Sequence, residues 1–119
     1  PHAIVEAMRL KSTDRLAAAF ALPEGKSVLV MTQIGKAIHR TPESLEMVAD
    51  LGRVGKALYS KPRREAGVRV VGAAAVAESD WGLALHANGQ ISTHAIAEIF
   101  ANGTIPVEDK LLAFSTFSP

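Results

Sequence analysis

The hydrophobic and polar positions of the chain repeat once, at a constant offset of 54 residues. Residues 15–45 align with residues 69–99 without a gap, so that residues 16–22 match residues 70–76. In both copies an apolar run ends in a polar turn, a second apolar run follows, and a glycine turn leads into a short β-prone stretch. The pattern predicts two similar units in tandem, each of which buries its apolar face only against a neighbour.

The first apolar run of each copy predicts a buried strand. Continuous apolar runs with polar ends are typical of such strands, although the alanines of residues 4–22 also fit an amphipathic helix. We favour strands because Val68, Val70 and Val71 open the second copy and Gly72 interrupts it. The turns at residues 23–26 and 78–80 then predict that each run forms a hairpin with the next strand, over residues 28–32 and 81–86.

A glycine turn follows in each copy, at residues 33–36 and 87–90. The Asn-Gly pair of the second turn, between apolar segments, is a strong short-range signal for a hairpin. Three strands per unit are therefore expected. Residues 107–117 predict a further pair of strands near the end of the chain.

Short helices are predicted after the third strand of each copy. Thr41, Pro42 and Glu43 supply a capping residue, a first-turn proline and an acid, which predict a helix that ends near Gly52. Residues 95–101, closed by Asn102 and Gly103, predict its counterpart. The expected fold class is mainly β, with short helical connectors.

Composition restricts the class of protein. A chain of 119 residues with 48% hydrophobic content has the size and composition of one globular domain. It has no cysteine, which excludes disulfides and thiolate metal sites and fits a reducing compartment. Its uncharged stretches are too short to cross a bilayer, so a cytoplasmic location is predicted.

The formal net charge of +1 hides an uneven distribution of cations. Residues 53–69 hold six cations and a single acid, Glu65, whereas Lys110 is the only cation after residue 69. Such a cluster can bind a polyanion by releasing its counterions, or it can simply be a solvated loop. The six cations are Arg53, Lys56, Lys61, Arg63, Arg64 and Arg69.

Catalytic motifs do not emerge from the sequence. There is no nucleophile elbow, phosphate-binding lysine loop or dinucleotide glycine pattern. The four histidines, at positions 2, 39, 86 and 94, lack the spacing of a metal site on a helix face. We therefore predict a chain that is not an enzyme and that carries no cofactor or metal.

The order of these motifs resembles the C-terminal domain of the A subunit of DNA gyrase and its relative topoisomerase IV. The likeness runs from Met8 to Ile99 and rests on residues 9–15, 28–36, 67–73 and 83–90. It implies a β-pinwheel, a ring of blades that exchange strands with their neighbours and bend DNA around a basic rim, without catalysis. Two tandem propeller-like blades are then expected within a single domain 1–119, over about residues 9–60 and 63–117.

The same resemblance implies contact with duplex DNA on the nucleoid. The gyrase box, Gln-Arg-Arg-Gly-Gly-Lys-Gly, falls on residues 51–57, where Arg53, Gly55 and Lys56 match it. This partial match implies weaker contact than tight gyrase-type wrapping. Other blades or chains are expected to complete the ring. The predicted DNA-binding residues are Lys36, Arg40, Arg53, Lys56, Lys61, Arg63 and Arg64.

Two other functions are open on the sequence. The first is a protein-interaction or assembly module that keeps the blade fold and has little DNA contact. The second is a small oligomeric enzyme or ligand binder whose site forms between chains, which a pocket lined by His39 or His94 would favour.

Overall fold

A computed structural model of the chain describes residues 20–44 and 69–119. Its first antiparallel sheet, sheet 1, has three strands in the order β2-β1-β3. These strands are β1 (Ser27–Thr32), β2 (Ala37–Arg40) and β3 (Val70–Val76). A short 3₁₀ helix, Pro42–Ser44, follows β2.

The second antiparallel sheet, sheet 2, repeats this arrangement in the order β5-β4-β6. Its strands are β4 (Trp81–His86), β5 (Ile91–Ala95) and β6 (Leu111–Phe117). Helix α1, Ile96–Asn102, follows β5 directly. The predicted fold class is confirmed: the chain is mainly β, and its two small sheets are consistent with a β-pinwheel-like fold.

Both predicted glycine turns are confirmed as hairpin turns. Gly35 joins β1 to β2 with φ 83°, and Gly89 joins β4 to β5 with φ 90°. These left-handed values strain any residue with a Cβ, which explains why glycine stands at both positions. In each turn the glycine amide donates to a strand-end carbonyl, that of Thr32 at 3.0 Å and that of His86 at 2.9 Å.

The predicted pairing of residues 70–76 with residues 81–86 is wrong. Strand β3 pairs with β1 instead, in a register that sets Val76 opposite Ser27, and so completes the sheet of the preceding hairpin. The turn before β4 is a corner between sheets: the buried Asp80 carboxylate accepts from the Ala77 amide at 3.0 Å. The Ile96 amide in turn donates to the Asp80 carbonyl at 3.0 Å, which fixes the corner to sheet 2.

Strand β6 has the same place in sheet 2 that β3 has in sheet 1. The register shifts between Met31 and Thr32 where β1 meets β3, and between Leu85 and His86 where β4 meets β6. These two bulges are 54 residues apart, as the sequence repeat requires. We therefore call β1, β2 and β3 unit 1 and β4, β5 and β6 unit 2.

The remaining predicted elements have mixed outcomes. Of residues 16–22, only 20–22 are described, and they lie outside any strand. The helix predicted from Thr41 to Gly52 begins as the 3₁₀ helix, and the rest of it lies outside the described residues. The second predicted helix is confirmed as α1, which ends where the Gly103 amide donates to Ile99. Residues 107–117 were predicted as two strands, which is wrong, because they contain only β6.

No helix among residues 20–44 and 69–119 meets the length and hydropathy that a membrane span needs.

The hydrophobic core lies between the two sheets and helix α1. Sheet 1 contributes Leu29 and Met31, and α1 contributes Ile96 and Ile99, all of them buried. Sheet 2 contributes the ring of Phe114, together with Ala84 and Leu111. Burial of this apolar surface drives the two units together.

The two units approach each other closely at Gly72. A Cβ on Gly72 would overlap the backbone carbonyl oxygen of Phe114 in unit 2, and within unit 2 a Cβ on Gly82 would meet the Phe114 ring. The backbone of β3 therefore lies directly against the backbone of β6. The ring of Phe114 occupies the space that a side chain at residue 82 would need.

Replacing Gly72 by alanine should lower the free energy of unfolding by about 1–3 kcal/mol, the usual cost of overpacking a core. The added carbon would meet backbone, which cannot move aside without shifting a strand. The matched variant Gly82→Ala should cost less, because a small change in the χ1 angle of Phe114 can move the tip of its ring aside, whereas backbone cannot move in this way. Urea titrations followed by circular dichroism measure both, and an equal or smaller loss at Gly72 would contradict the close approach of β3 and β6.

Candidate nucleic-acid interface

The backbones of three basic residues lie close to the turn of the first hairpin. Lys36 ends this turn. The Gln33 amide donates to the carbonyl of Arg69 at 2.8 Å, and the Gln33 carbonyl accepts from Leu111 at 2.7 Å, next to Lys110. We call Lys36, Arg69 and Lys110 the turn cluster. Arg69 and Lys110 are exposed and Lys36 is half-buried, so charge is available to solvent at this end of the molecule.

Arg69 and Lys110 occupy equivalent positions in the two units. Each directly precedes the third strand of its sheet. The Ala87 amide donates to the Lys110 carbonyl at 2.8 Å, just as the Gln33 amide donates to the Arg69 carbonyl. The matching architecture of the two sheets therefore places a cation beside each hairpin turn. Neither residue was among the predicted DNA-binding residues, although a basic residue directly before each apolar run was a signal present in the sequence.

The predicted DNA-binding residues fall in three places. Lys36 lies in the turn cluster, whereas Arg40 lies at the other end of β2, opposite Val28. The Arg40 guanidinium donates to the His39 carbonyl at 2.9 Å. The structure therefore does not bring Lys36 and Arg40 together. Arg53, Lys56, Lys61, Arg63 and Arg64 lie outside the described residues.

Acidic side chains limit the positive potential around unit 2. Glu108 and Asp109 directly precede Lys110, and all three are exposed. Over residues 69–119 five acids stand against two cations. The positive charge of the described residues is therefore local to the turn cluster and to the edge of sheet 1.

A groove of about 490 Å³ lies beside the second hairpin turn. On its wall the Ser92 hydroxyl lies 2.7 Å from Nε2 of both His86 and His94. A hydroxyl has one proton and two lone pairs, so it can donate to at most one of the two imidazoles. Burial lowers the pKa of His94, the nearby His86 lowers it further, and Glu98 partly opposes both effects.

His39 lines a second groove of about 350 Å³, at the other end of sheet 1. Its Nε2 lies 2.8 Å from the Ser27 hydroxyl, and its ring stacks on Phe100 with 3.7 Å between centroids. Pockets lined by His39 and His94 are thus both present, as a ligand-binding function would require. In the part of the chain that the structure describes, however, no three His, Asp or Glu side chains are grouped so as to hold a metal ion.

Comparison with solved structures gives one informative likeness. The fold resembles the C-terminal domain of DNA topoisomerase IV. The TM-score is 0.66, over 92% of this chain, at 16% sequence identity. No protein-family model matches the sequence, and no curated protein is similar to it.

The likeness to the topoisomerase IV domain is one of fold. This chain spans 36% of the length of that domain. An identity of 16% leaves few shared side chains. The resemblance predicted from the sequence is therefore confirmed for the architecture, while the DNA contacts of individual residues stay predictions.

The free energy of unfolding should decrease as the pH falls below 6.5, the ordinary pKa of histidine. Because the pKa of His94 is lowered in the folded chain, the unfolded chain binds this proton first, and stability is retained only above that range. Urea titrations on both sides of pH 6.5 measure the loss, which should be smaller in His94→Gln. An NMR titration that gives His94 a pKa above 6.5 would contradict this account.

Proposed function

We propose that the chain is a non-catalytic module that contacts duplex DNA without sequence preference, as part of a β-pinwheel of the topoisomerase A-subunit type. The observation that carries the proposal is the fold likeness to the C-terminal domain of DNA topoisomerase IV, at a TM-score of 0.66. The sequence repeat supports it independently, since the blade motifs follow one another in the family's order. Blades over about residues 9–60 and 63–117 form the module.

The contacts are electrostatic and are made to phosphates. Lysine and arginine bind the DNA backbone without reading bases, and binding of this kind weakens steeply as salt rises. Aromatic residues are only 5% of the chain, which argues against base stacking on a single strand. We assign the main contact to the cations of residues 53–64, with Lys36 and Arg40 from the first hairpin.

The turn cluster extends this surface. Arg69 and Lys110 are exposed, and the hydrogen bonds of Gln33 hold their backbones at the turn that carries Lys36. Three cations at one turn can contact neighbouring phosphates. The acids Glu108 and Asp109 beside them reduce this attraction, so the cluster is the weaker part of the surface.

The leading alternative is an assembly module that keeps the blade fold and binds little DNA. The observation that favours it is the uncharged, apolar and exposed outer surface of sheet 2. Such surfaces mark sites of protein contact.

Affinity for a duplex of about 40 base pairs should fall steeply with salt, and the slope should become shallower by about 0.9 for each phosphate contact that is removed. The first variant replaces Arg53, Lys56, Arg63 and Arg64 by alanine. The second replaces only Arg69. Fluorescence anisotropy across a salt series measures both slopes.

Gln90→Ala is the matched control for Arg69→Ala. It truncates an exposed side chain in the second hairpin turn and removes no charge. Its slope should equal that of the unchanged chain. Weak binding with a flat salt dependence in every variant would reject DNA contact and support the assembly function.

A further inference from the structure

The repeat reveals that one face of sheet 2 lacks the cover that its equivalent in sheet 1 has. Leu29 and Met31 of β1 are 1% and 0% exposed, because unit 2 packs on them. Their equivalents in β4, Leu83 and Leu85, are 36% and 38% exposed. Large apolar side chains at the same positions are thus buried in unit 1 and open in unit 2.

The third strands of the two sheets, β3 and β6, differ in exposure in the same way. The register pairs Val76 with Ser27 at one end of sheet 1, and Phe117 with Trp81 at the same end of sheet 2. Val76 is 1% exposed, whereas Phe117 is 45% exposed. We call the exposed side of sheet 2 the open face, which is formed by Trp81, Leu83, Leu85, Ile91 and Phe117.

The open face carries no charged side chain. Because side chains alternate between the two sides of a sheet, the pairing places four further residues on this side. All four are small or uncharged: Thr93, Ala95, Ala113 and Ser115. A shallow apolar groove of about 230 Å³ runs between Leu83, Ile91 and Ala113.

We propose that the open face packs against the same face of a second copy of this chain, in a two-fold symmetric dimer. In a two-fold contact the same patch lies on both sides, and an uncharged apolar patch is complementary to itself. Two apolar sheet faces then stack as in a β-sandwich. Five large side chains from each copy leave water.

A head-to-tail contact does not fit the structure. Within one chain, unit 2 packs on the apolar side of sheet 1. In a head-to-tail contact, unit 1 of the second copy would have to pack on the open face in the same way, and it would need an exposed apolar surface on the other side of its sheet. The side of sheet 1 away from unit 2 carries Val30 and Ile38, which are each only 6% exposed. That side is already covered, so the matching surface for the open face is the open face itself.

Sedimentation equilibrium over a wide range of concentration tests the dimer. The unchanged chain should approach twice its mass of 12.6 kDa. The double variant Leu83→Lys, Ile91→Lys should weaken association by about tenfold or more, because four like charges, two from each copy, would be buried in the contact. Both positions are exposed in the single chain, so folding should survive, which circular dichroism checks. Ile34→Lys, at an exposed site in the first hairpin turn, is the matched control and should leave the dimer intact.

Trp81 provides a second measurement that needs no variant. It is the only tryptophan of the chain and lies on the open face. Its emission should shift to longer wavelength, and its quenching by iodide should increase, as the unchanged chain is diluted. A monomer at all concentrations, or a dimer that the double variant does not weaken, would overturn the proposal.

The inference rests on the internal repeat and is independent of the proposed DNA contact. The two can fail separately. A dimer without salt-dependent DNA affinity would reject only the DNA function, and a monomer with such affinity would reject only the dimer.

Discussion

The pairing of β3 with β1 is the interaction on which the rest of the structure depends. A two-stranded hairpin is marginally stable alone, and β1 with β2 is such a hairpin until β3 joins it. The chain must then leave sheet 1 and begin sheet 2 within four residues, which the corner at Asp80 accomplishes. The close packing of Gly72 against Phe114 follows from the same arrangement, because β3 brings its backbone to the border of the two units.

The first hairpin turn shows how backbone bonding can arrange charged side chains. Gln33 is bonded through both its amide and its carbonyl, and the Gly35 carbonyl accepts from Ile105 at 2.9 Å. These bonds hold the starts of β3 and β6 beside one turn. Arg69 and Lys110 lie near Lys36 because the Arg69 carbonyl and the Leu111 amide are hydrogen-bonded to Gln33. The turn cluster is therefore formed by the packing of the two units. The DNA contact proposed for the turn cluster depends in addition on the charges of its side chains and of the acids beside them.

Local features of the fold could be predicted from the sequence. The glycine turns at Gly35 and Gly89, the strands that flank them and the end of α1 at Gly103 each depend on residues a few positions apart. The offset between the units was also visible, because equivalent apolar positions recur with no insertion. Local steric and hydrogen-bonding preferences are sufficient for these elements.

The partner of β3 could not be predicted in the same way. Its run of valine and alanine is apolar on both sides, so it has no alternation to indicate which sheet it joins. The short turn before Trp81 favoured the neighbouring strand, and only the bonds of Asp80 to Ala77 and Ile96 reveal a corner. The turn cluster could not be predicted for a related reason, because the approach of Lys110 to Gln33 joins residues distant in sequence. Arg40 lies at the end of β2 that is farther from Lys36, so the two predicted cations of this hairpin are apart.

The exchange of strands also sets a condition on biosynthesis. A ribosome completes the first hairpin long before it reaches residue 70, so that hairpin leaves the exit tunnel without its third strand. The partners of its turn, Ile105 and Leu111, emerge later still. Sheet 1 has all three of its strands once residue 76 has emerged, before β4 is made. Its hairpin turn and its apolar face, however, gain their partners from unit 2 only when β6 has been translated.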